Sequence, residues 1–272
     1  MKKIFLISLT AMVVLFLSAS GFCATVGNTN DIQSPHGPGF LNMESSGMGY
    51  LKLGGDVEFI FDKKLDGGSN TSSSKIKGNW YLGKITYNIA NRLDVFGVLG
   101  ASDVDTQWNQ GSEVKVEGDT EFAWGIGAKL FVYEFPEQYW NIRIAVNGEY
   151  RSTDPGVTKA LVGGADVTSG TSDTKYEIGE WQVGGTISKE FKLSEAPEIF
   201  LVPYFGVRYS DSDVKAKFTY SGTVYDIGSA ENKTKVGIQV GGDLLIGNNF
   251  SVNVEGRFID ETALTVGATI KI

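Results

Sequence analysis

The chain has 272 residues, with 24 Lys and Arg against 32 Asp and Glu and a formal net charge of −8. That acidic balance argues against nucleic acid as a partner, and a single Cys with a single His leaves no ligand set for a transition-metal site. Length alone admits one or two domains.

Residues 1–24 have the three-part layout of a secretory signal. Lys2 and Lys3 form a positive start, an apolar run follows from residue 4 to 17, and the small residues Ala19, Ser20 and Gly21 come next. The apolar run is short for a spanning helix, so cleavage between Gly21 and Ala24 is expected. Cys23 raises the alternative of a lipid-modified N-terminus, for which the bulky Phe22 is a poor neighbour. Losing Lys2 and Lys3 with the signal would take the formal charge from −8 to −10. The remaining chain has no cysteine, hence no disulfides to stabilise it. Residues 25–47, with Pro35, Pro38 and several Gly, read as an irregular lead, and residues 48–272 as a single barrel domain.

Beyond the signal no apolar stretch reaches the roughly 20 residues a spanning helix needs. Helical periodicity is nearly absent and period-two alternation recurs instead. Residues 51–61 set Leu53, Val57, Phe59 and Phe61 against Lys52, Asp56 and Glu58. Residues 81–89 set Tyr81, Ile85, Tyr87 and Ile89 against Lys84, Thr86 and Asn88. The segment 93–101 is weaker, because Phe96 and Val98 fall beside Asp94 on the polar side. Residues 122–130 alternate Phe122, Trp124, Ile126, Ala128 and Leu130 with small residues and Lys129. Residues 142–151 are the clearest case, with Arg143, Asn147, Glu149 and Arg151 on one side.

The pattern continues to the end of the chain. Residues 181–187 carry Gln182 and Thr186 opposite Trp181, Val183 and Ile187. Segment 201–209 has Arg208 on its polar side, 236–244 has Gln239 and Asp243, and 250–258 has Ser251, Asn253, Glu255 and Arg257. Residues 264–272 close the series with Thr265, Thr269 and Lys271 opposite the apolar set. Pro203 cannot donate to a ladder, so the seventh strand is expected to enter the membrane only near it.

Connections alternate between short (90–92, 134–138, 190–197, 247–249) and long (63–74, 103–118, 152–174, 211–232), with a tight last one at 260–262. A soluble β-sandwich also alternates apolar and polar residues, but nothing in it demands that asymmetry. Short turns on one side and long loops on the other belong to outer-membrane barrels. The expected fold is therefore all-β: an antiparallel up-and-down transmembrane barrel of about ten strands, eight or twelve being the alternatives, with both termini periplasmic. Residues 114–117, and a strand, turn and strand over 214–226, are expected to extend the wall above the membrane. Aromatics fall at both strand ends. Tyr87, Tyr139, Trp140 and Phe250 lie on the periplasmic side; Tyr81, Phe122, Trp124, Tyr150, Trp181, Tyr209 and Phe258 lie on the outer side, as two interfacial girdles require.

The hairpin Tyr87-Asn88-Ile89-Ala90-Asn91-Arg92-Leu93-Asp94-Val95-Phe96-Gly97, the segment Val202-Pro203-Tyr204-Phe205-Gly206-Val207-Arg208-Tyr209-Ser210 and the terminal strand Leu264-Thr265-Val266-Gly267-Ala268-Thr269-Ile270-Lys271-Ile272 resemble those of bacterial outer-membrane β-barrel proteins, the small porin-like or OmpA-type barrels. The resemblance implies outer-membrane lipids as surroundings. It also implies recognition of the C-terminal strand by the barrel-assembly machinery, although Ile272 stands where an aromatic is usual.

Barrel enzymes of that resemblance place a His beside Ser or Asp at the outer rim, whereas His36 lies in the lead. The paired acids Asp211 and Asp213 are the remaining catalytic candidate, better read as solvated loop acids. Neither an enzyme nor a cofactor is expected. The inward residues Lys52, Asp56, Glu58, Lys84, Lys129, Arg143, Glu149, Arg151, Arg208, Asp243, Glu255 and Arg257 are expected to line the lumen. They would make it either a narrow porin-like passage for small solutes or a closed structural barrel. The alternative is a surface-exposed adhesive or ligand-binding barrel acting through its Ser/Thr/Gly-rich outer loops.

Overall fold

The computed structural model describes residues 49–68, 71–90, 92–135, 142–195, 197–247 and 249–272. The expected signal and lead, with Cys23 and His36, lie outside these residues, as do Tyr139 and Trp140. Sixteen strands form one antiparallel sheet. In chain order they are β1 (Leu51–Asp66), β2 (Ser72–Ile89), β3 (Leu93–Gln110), β4 (Ser112–Gly118), β5 (Glu121–Glu134), β6 (Ile142–Thr153), β7 (Val157–Val162) and β8 (Ala165–Asp166). They continue with β9 (Thr171–Lys189), β10 (Phe191–Glu195), β11 (Glu198–Tyr220), β12 (Thr223–Asp226), β13 (Glu231–Asn232), β14 (Val236–Ile246), β15 (Phe250–Phe258) and β16 (Glu261–Lys271).

Ten of these strands close a ring. β1, β2, β3, β5, β6, β9, β11, β14, β15 and β16 each pair with the next. β16 then pairs back onto β1, with Leu53 opposite Ile270 and Val57 opposite Val266. Each of the ten alternating segments falls on one ring strand, and only Ile272 lies past an end. Closure satisfies every wall strand on both edges, which a bilayer core demands of any backbone within it.

The apolar sides face outward. Ile85, Leu99 and Ile126 are 56%, 58% and 61% exposed, while Lys52, Asp94 and Arg208 are buried. A sandwich would bury the first set and expose the second, so that alternative is excluded. None of the described residues forms a helix long and apolar enough to cross a membrane.

Two details of the wall follow from local chemistry. β11 starts at Glu198, five residues before Pro203. Tyr204 pairs with Ser188 of β9 and Leu201 with Phe191 of β10, so Pro203 falls where the ladder passes from β9 to β10 and no donor is needed on that edge. Gly127 leaves room for an inward aromatic: a Cβ there would lie 2.3 Å from the Phe96 ring.

The long connections are not irregular loops. β1 and β2 run on through residues 63–66 and 72–74. Residues 103–118 fold as the outer half of β3 with β4, and β7 joins β4 within the stretch 152–174. β11 continues to Tyr220 and turns back at Ser221-Gly222, both at positive φ, into β12. These pieces form a second storey above the membrane ring. Trp108, Val114, Val116, Val104, Phe218, Ile227 and their neighbours fill it as an apolar core.

Candidate functional site

The ring's interior is the candidate site. Eleven of the twelve expected lumen residues are buried and Glu149 is half-buried. They fall into three groups along the barrel axis.

Nearest the periplasmic end, Lys52 Nζ lies 2.7 Å from Asp94, with Lys129 Nζ 3.9 Å from the same carboxylate. Asn88 donates to the other Asp94 oxygen at 2.7 Å. Arg143 bridges Glu134 and Glu190 at 3.1 and 2.9 Å. Across the ring, Asn253 donates to Asp243 at 2.7 Å and to the Tyr204 hydroxyl at 3.0 Å, and that hydroxyl donates to Glu255 at 2.9 Å.

At mid-height, Glu149 accepts from Gln182 at 3.1 Å, whose amide oxygen accepts from Arg208 at 2.7 Å. Lys84 lies 3.9 Å over the Phe96 ring, an arrangement that stabilises an ammonium against the face of an aromatic. Thus Phe96, which weakens the alternation of its strand, is a ring partner for a buried cation rather than a misplaced apolar residue.

The third and densest group is a continuous ion-pair network. Arg151 holds Glu58 through two bonds of 3.0 and 2.8 Å and Glu180 at 2.9 Å, with Trp80 stacked 4.4 Å beneath its guanidinium. Arg257 joins Glu58 at 2.6 Å to Glu261 at 3.1 Å. Arg208 joins Glu261 at 2.6 Å to Asp260 at 2.5 Å. Lys63 closes the circuit at 2.7 Å from Glu180 and 3.3 Å from Glu261. Four cations meet four carboxylates, drawn from β1, β6, β9, β11, β15, β16 and the β15–β16 turn. Bidentate Arg–carboxylate bonds are the geometry in which such pairs best offset their desolvation.

Half of this network escapes the alternation pattern. Lys63 lies past the apparent end of the first segment, Glu180 one residue before its own, and Asp260 and Glu261 sit in what reads as a tight outer turn. Glu180 shares the parity of Gln182, so extending the alternation one step would have found it. No sequence signal marks Asp260 and Glu261, because Ile259 takes a positive φ of 84° and the turn folds inward over the lumen. The acid pair Asp211 and Asp213 is engaged in ion pairs, with Lys235 at 2.7 Å and Lys215 at 2.8 Å. No cluster of metal-ligating side chains occurs among the described residues.

Between these groups lies a cavity of about 20 Å3 lined by Asp56, Glu58, Lys84, Glu149, Arg151 and neighbours, room for roughly one water molecule. Outside, the wall carries an aromatic girdle at its outer edge. Trp124 meets Tyr150 edge-on at 5.7 Å and Trp181 stacks on Tyr209 at 5.2 Å. Tyr150 and Trp181 are directly opposed across strands.

An antiparallel ring closed on itself, apolar outside, charged inside and banded by aromatics is built for a bilayer. The chain is a bacterial outer-membrane β-barrel protein of porin-like type, and it sits in the outer-membrane lipid.

No family model matches the chain. In sequence it is similar to the "Major outer membrane porin, serovar F" of Chlamydia trachomatis, 24% identical over an alignment that covers 69% of this chain and 68% of that protein. Among solved structures it is similar to the β domain of the Bordetella autotransporter BrkA, with 12% identity and a TM-score of 0.43 over 82% of this chain and 99% of that one. It is also similar to the outer membrane protein OprG from Pseudomonas aeruginosa, with 11% identity and a TM-score of 0.40 over 84% of this chain and 97% of that one.

Proposed function

We propose that this porin-like barrel is closed at rest and serves as a structural element of the outer membrane rather than as an open solute channel. The observation that supports the reading most directly is the interior network: four cations and four carboxylates pair across the ring, an apolar core overlies them, and the pocket lined by Asp56, Glu58, Lys84, Glu149 and Arg151 holds about 20 Å3. An aqueous path needs a continuous column of water, and paired charges with buried indoles supply neither width nor free polar surface. The twelve inward polar residues then hold the wall in register instead of selecting a solute.

In this reading residues 1–24 direct export and are removed, and β16 presents the assembly machinery with the strand that completes the ring. No catalytic step is assigned. Purified full-length protein in a planar bilayer is expected to show no steady conductance; a stable open level from the wild-type chain would refute closure.

A further inference from the structure

Above the ring, β12 is laddered on one edge only: it pairs with β11, and no other described strand pairs with it. Its other edge faces the tip of β3, and there a side chain stands in for a strand. Gln110 Nε2 donates to the Val224 carbonyl at 3.2 Å, and its Oε1 accepts from the Asp226 N–H at 3.1 Å. These two groups flank Tyr225, and a neighbouring parallel strand would engage the same pair. Trp108 Nε1 donates to the same Oε1 at 3.4 Å, so two donors converge on the amide oxygen.

The two sides of this seam are unequally held. The β3 tip is fixed by its neighbours: Asn109 pairs with Ser72 of β2, and Trp108 with Val114 of β4, which pairs in turn with β7. β12 is instead bracketed by Gly222 at φ 77° and Gly228 at φ 75°. Glycine takes that conformation without steric cost, and such positions can absorb a hinge rotation.

Behind the seam lies the apolar core. Tyr225 of β12 stacks on Phe218 at 5.1 Å, and Phe218 meets Trp108 edge-on at 6.5 Å. Trp108, Val114 and Phe218 are each no more than 1% exposed, so with the seam closed they are dry. No member of the ring's ion-pair network belongs to β12 or to the β3 tip. The seam can therefore part without stranding a buried charge.

We propose that β12 is a lid over the second storey, hinged at Gly222 and Gly228 and latched by Gln110. Opening breaks the two Gln110 bonds and the short ladder to β11, lifts Tyr225 from Phe218 and presents Trp108 and Val114 to the outer solvent. The ring beneath stays paired. The lid adds an outer door to the closed barrel proposed above, but it is read by accessibility and not by current, so either idea can fail without the other.

The test uses refolded full-length protein in detergent, in a Cys23→Ser chain. With Val114→Cys added, the labelling rate by a water-soluble maleimide reports how often the lid is open. Gln110→Ala is expected to raise that rate about tenfold, the worth of two ordinary hydrogen bonds. Gln107→Ala removes a bond to Glu113 inside the β3–β4 hairpin and is expected to leave the rate unchanged. With the thiol placed instead at Ala145, buried in the ring wall, Gln110→Ala is expected to cause no acceleration. Hydrogen exchange over residues 218–227, read by mass spectrometry on Gln110→Ala alone, repeats the comparison without an introduced thiol. Heat-modifiable migration confirms that each variant is folded. Unchanged labelling at Val114 with unchanged exchange would mean that Gln110 is no latch. Equal acceleration at Val114 and Ala145 would mean that the second storey opens only together with the ring. Either result overturns the proposal.

Discussion

Arg151 touches Glu58 and Glu180 inside the ring, so its removal strands two buried carboxylates at once. Breaking one side of a buried ion pair costs about 3–5 kcal/mol, because the remaining charge stays desolvated. Arg151→Ala is therefore expected to lower the barrel's unfolding free energy by that amount, measured by urea titration in detergent. A loss below about 1 kcal/mol would mean that the network is dispensable to the wall. At the outer rim the electrostatics are wetter. Hydrogen bonds from Lys235 to Asp211 and to Glu231, at 2.7 and 2.6 Å, hold its ammonium above the usual lysine range. A raised folded pKa contributes stability that is whole below the unfolded value of about 10.4 and fades as pH rises through the folded one. Any stability gap between wild type and Lys235→Gln is thus expected to be constant from neutral pH to about 10 and to shrink above it. A gap unchanged at higher pH would argue that packing, not charge, keeps this contact.

β11 shows how an element can exceed its sequence signature. Residues 201–209 alternate cleanly and read as a membrane strand of ordinary length, yet the strand spans 23 residues. Its outer half alternates as well, but there the inward residues are Val214, Ala216 and Phe218, an apolar set facing the axis where the membrane half presents Arg208. The same parity thus serves two solvents: lipid outside below, a dry core inside above. Phe218 packs edge-on against Trp108 at 6.5 Å and stacks on Tyr225 at 5.1 Å. Truncating a buried Phe costs about 3–5 kcal/mol, and here the loss falls on the storey rather than on the ring. Phe218→Ala is expected to expose the β11–β12 hairpin to limited proteolysis while the heat-modifiable barrel persists. Loss of both together would mean that the two storeys fold as one cooperative unit. This division was partly legible beforehand, since residues 114–117 and 214–226 alternate. The strand pairs that β7 makes were not, because Val157–Val162 follows a Pro-Gly turn and finds its partner, β4, about forty residues upstream.

For the molecule as a whole, the proposed closure rests on both storeys. In the closed barrel proposed above, the ion-pair network fills the outer part of the ring and the apolar core lies over it, so the two block the axis one after the other. The absence of steady conductance expected of the wild type follows from the two in series, and the planar-bilayer recording tests that sum rather than either part.

The sequence by itself determined the ten wall strands, their outward apolar faces and the polar interior, because period-two alternation is a local property that a tilted membrane strand cannot do without. Which charge meets which was decided only by tertiary structure. Glu58 and Arg257 lie about 200 positions apart in the chain and become neighbours because β16 pairs back onto β1. Asp260 and Glu261 join the network because a turn with no distinguishing residue pattern bends inward. Ring closure supplies those contacts, and no local preference encodes a ring.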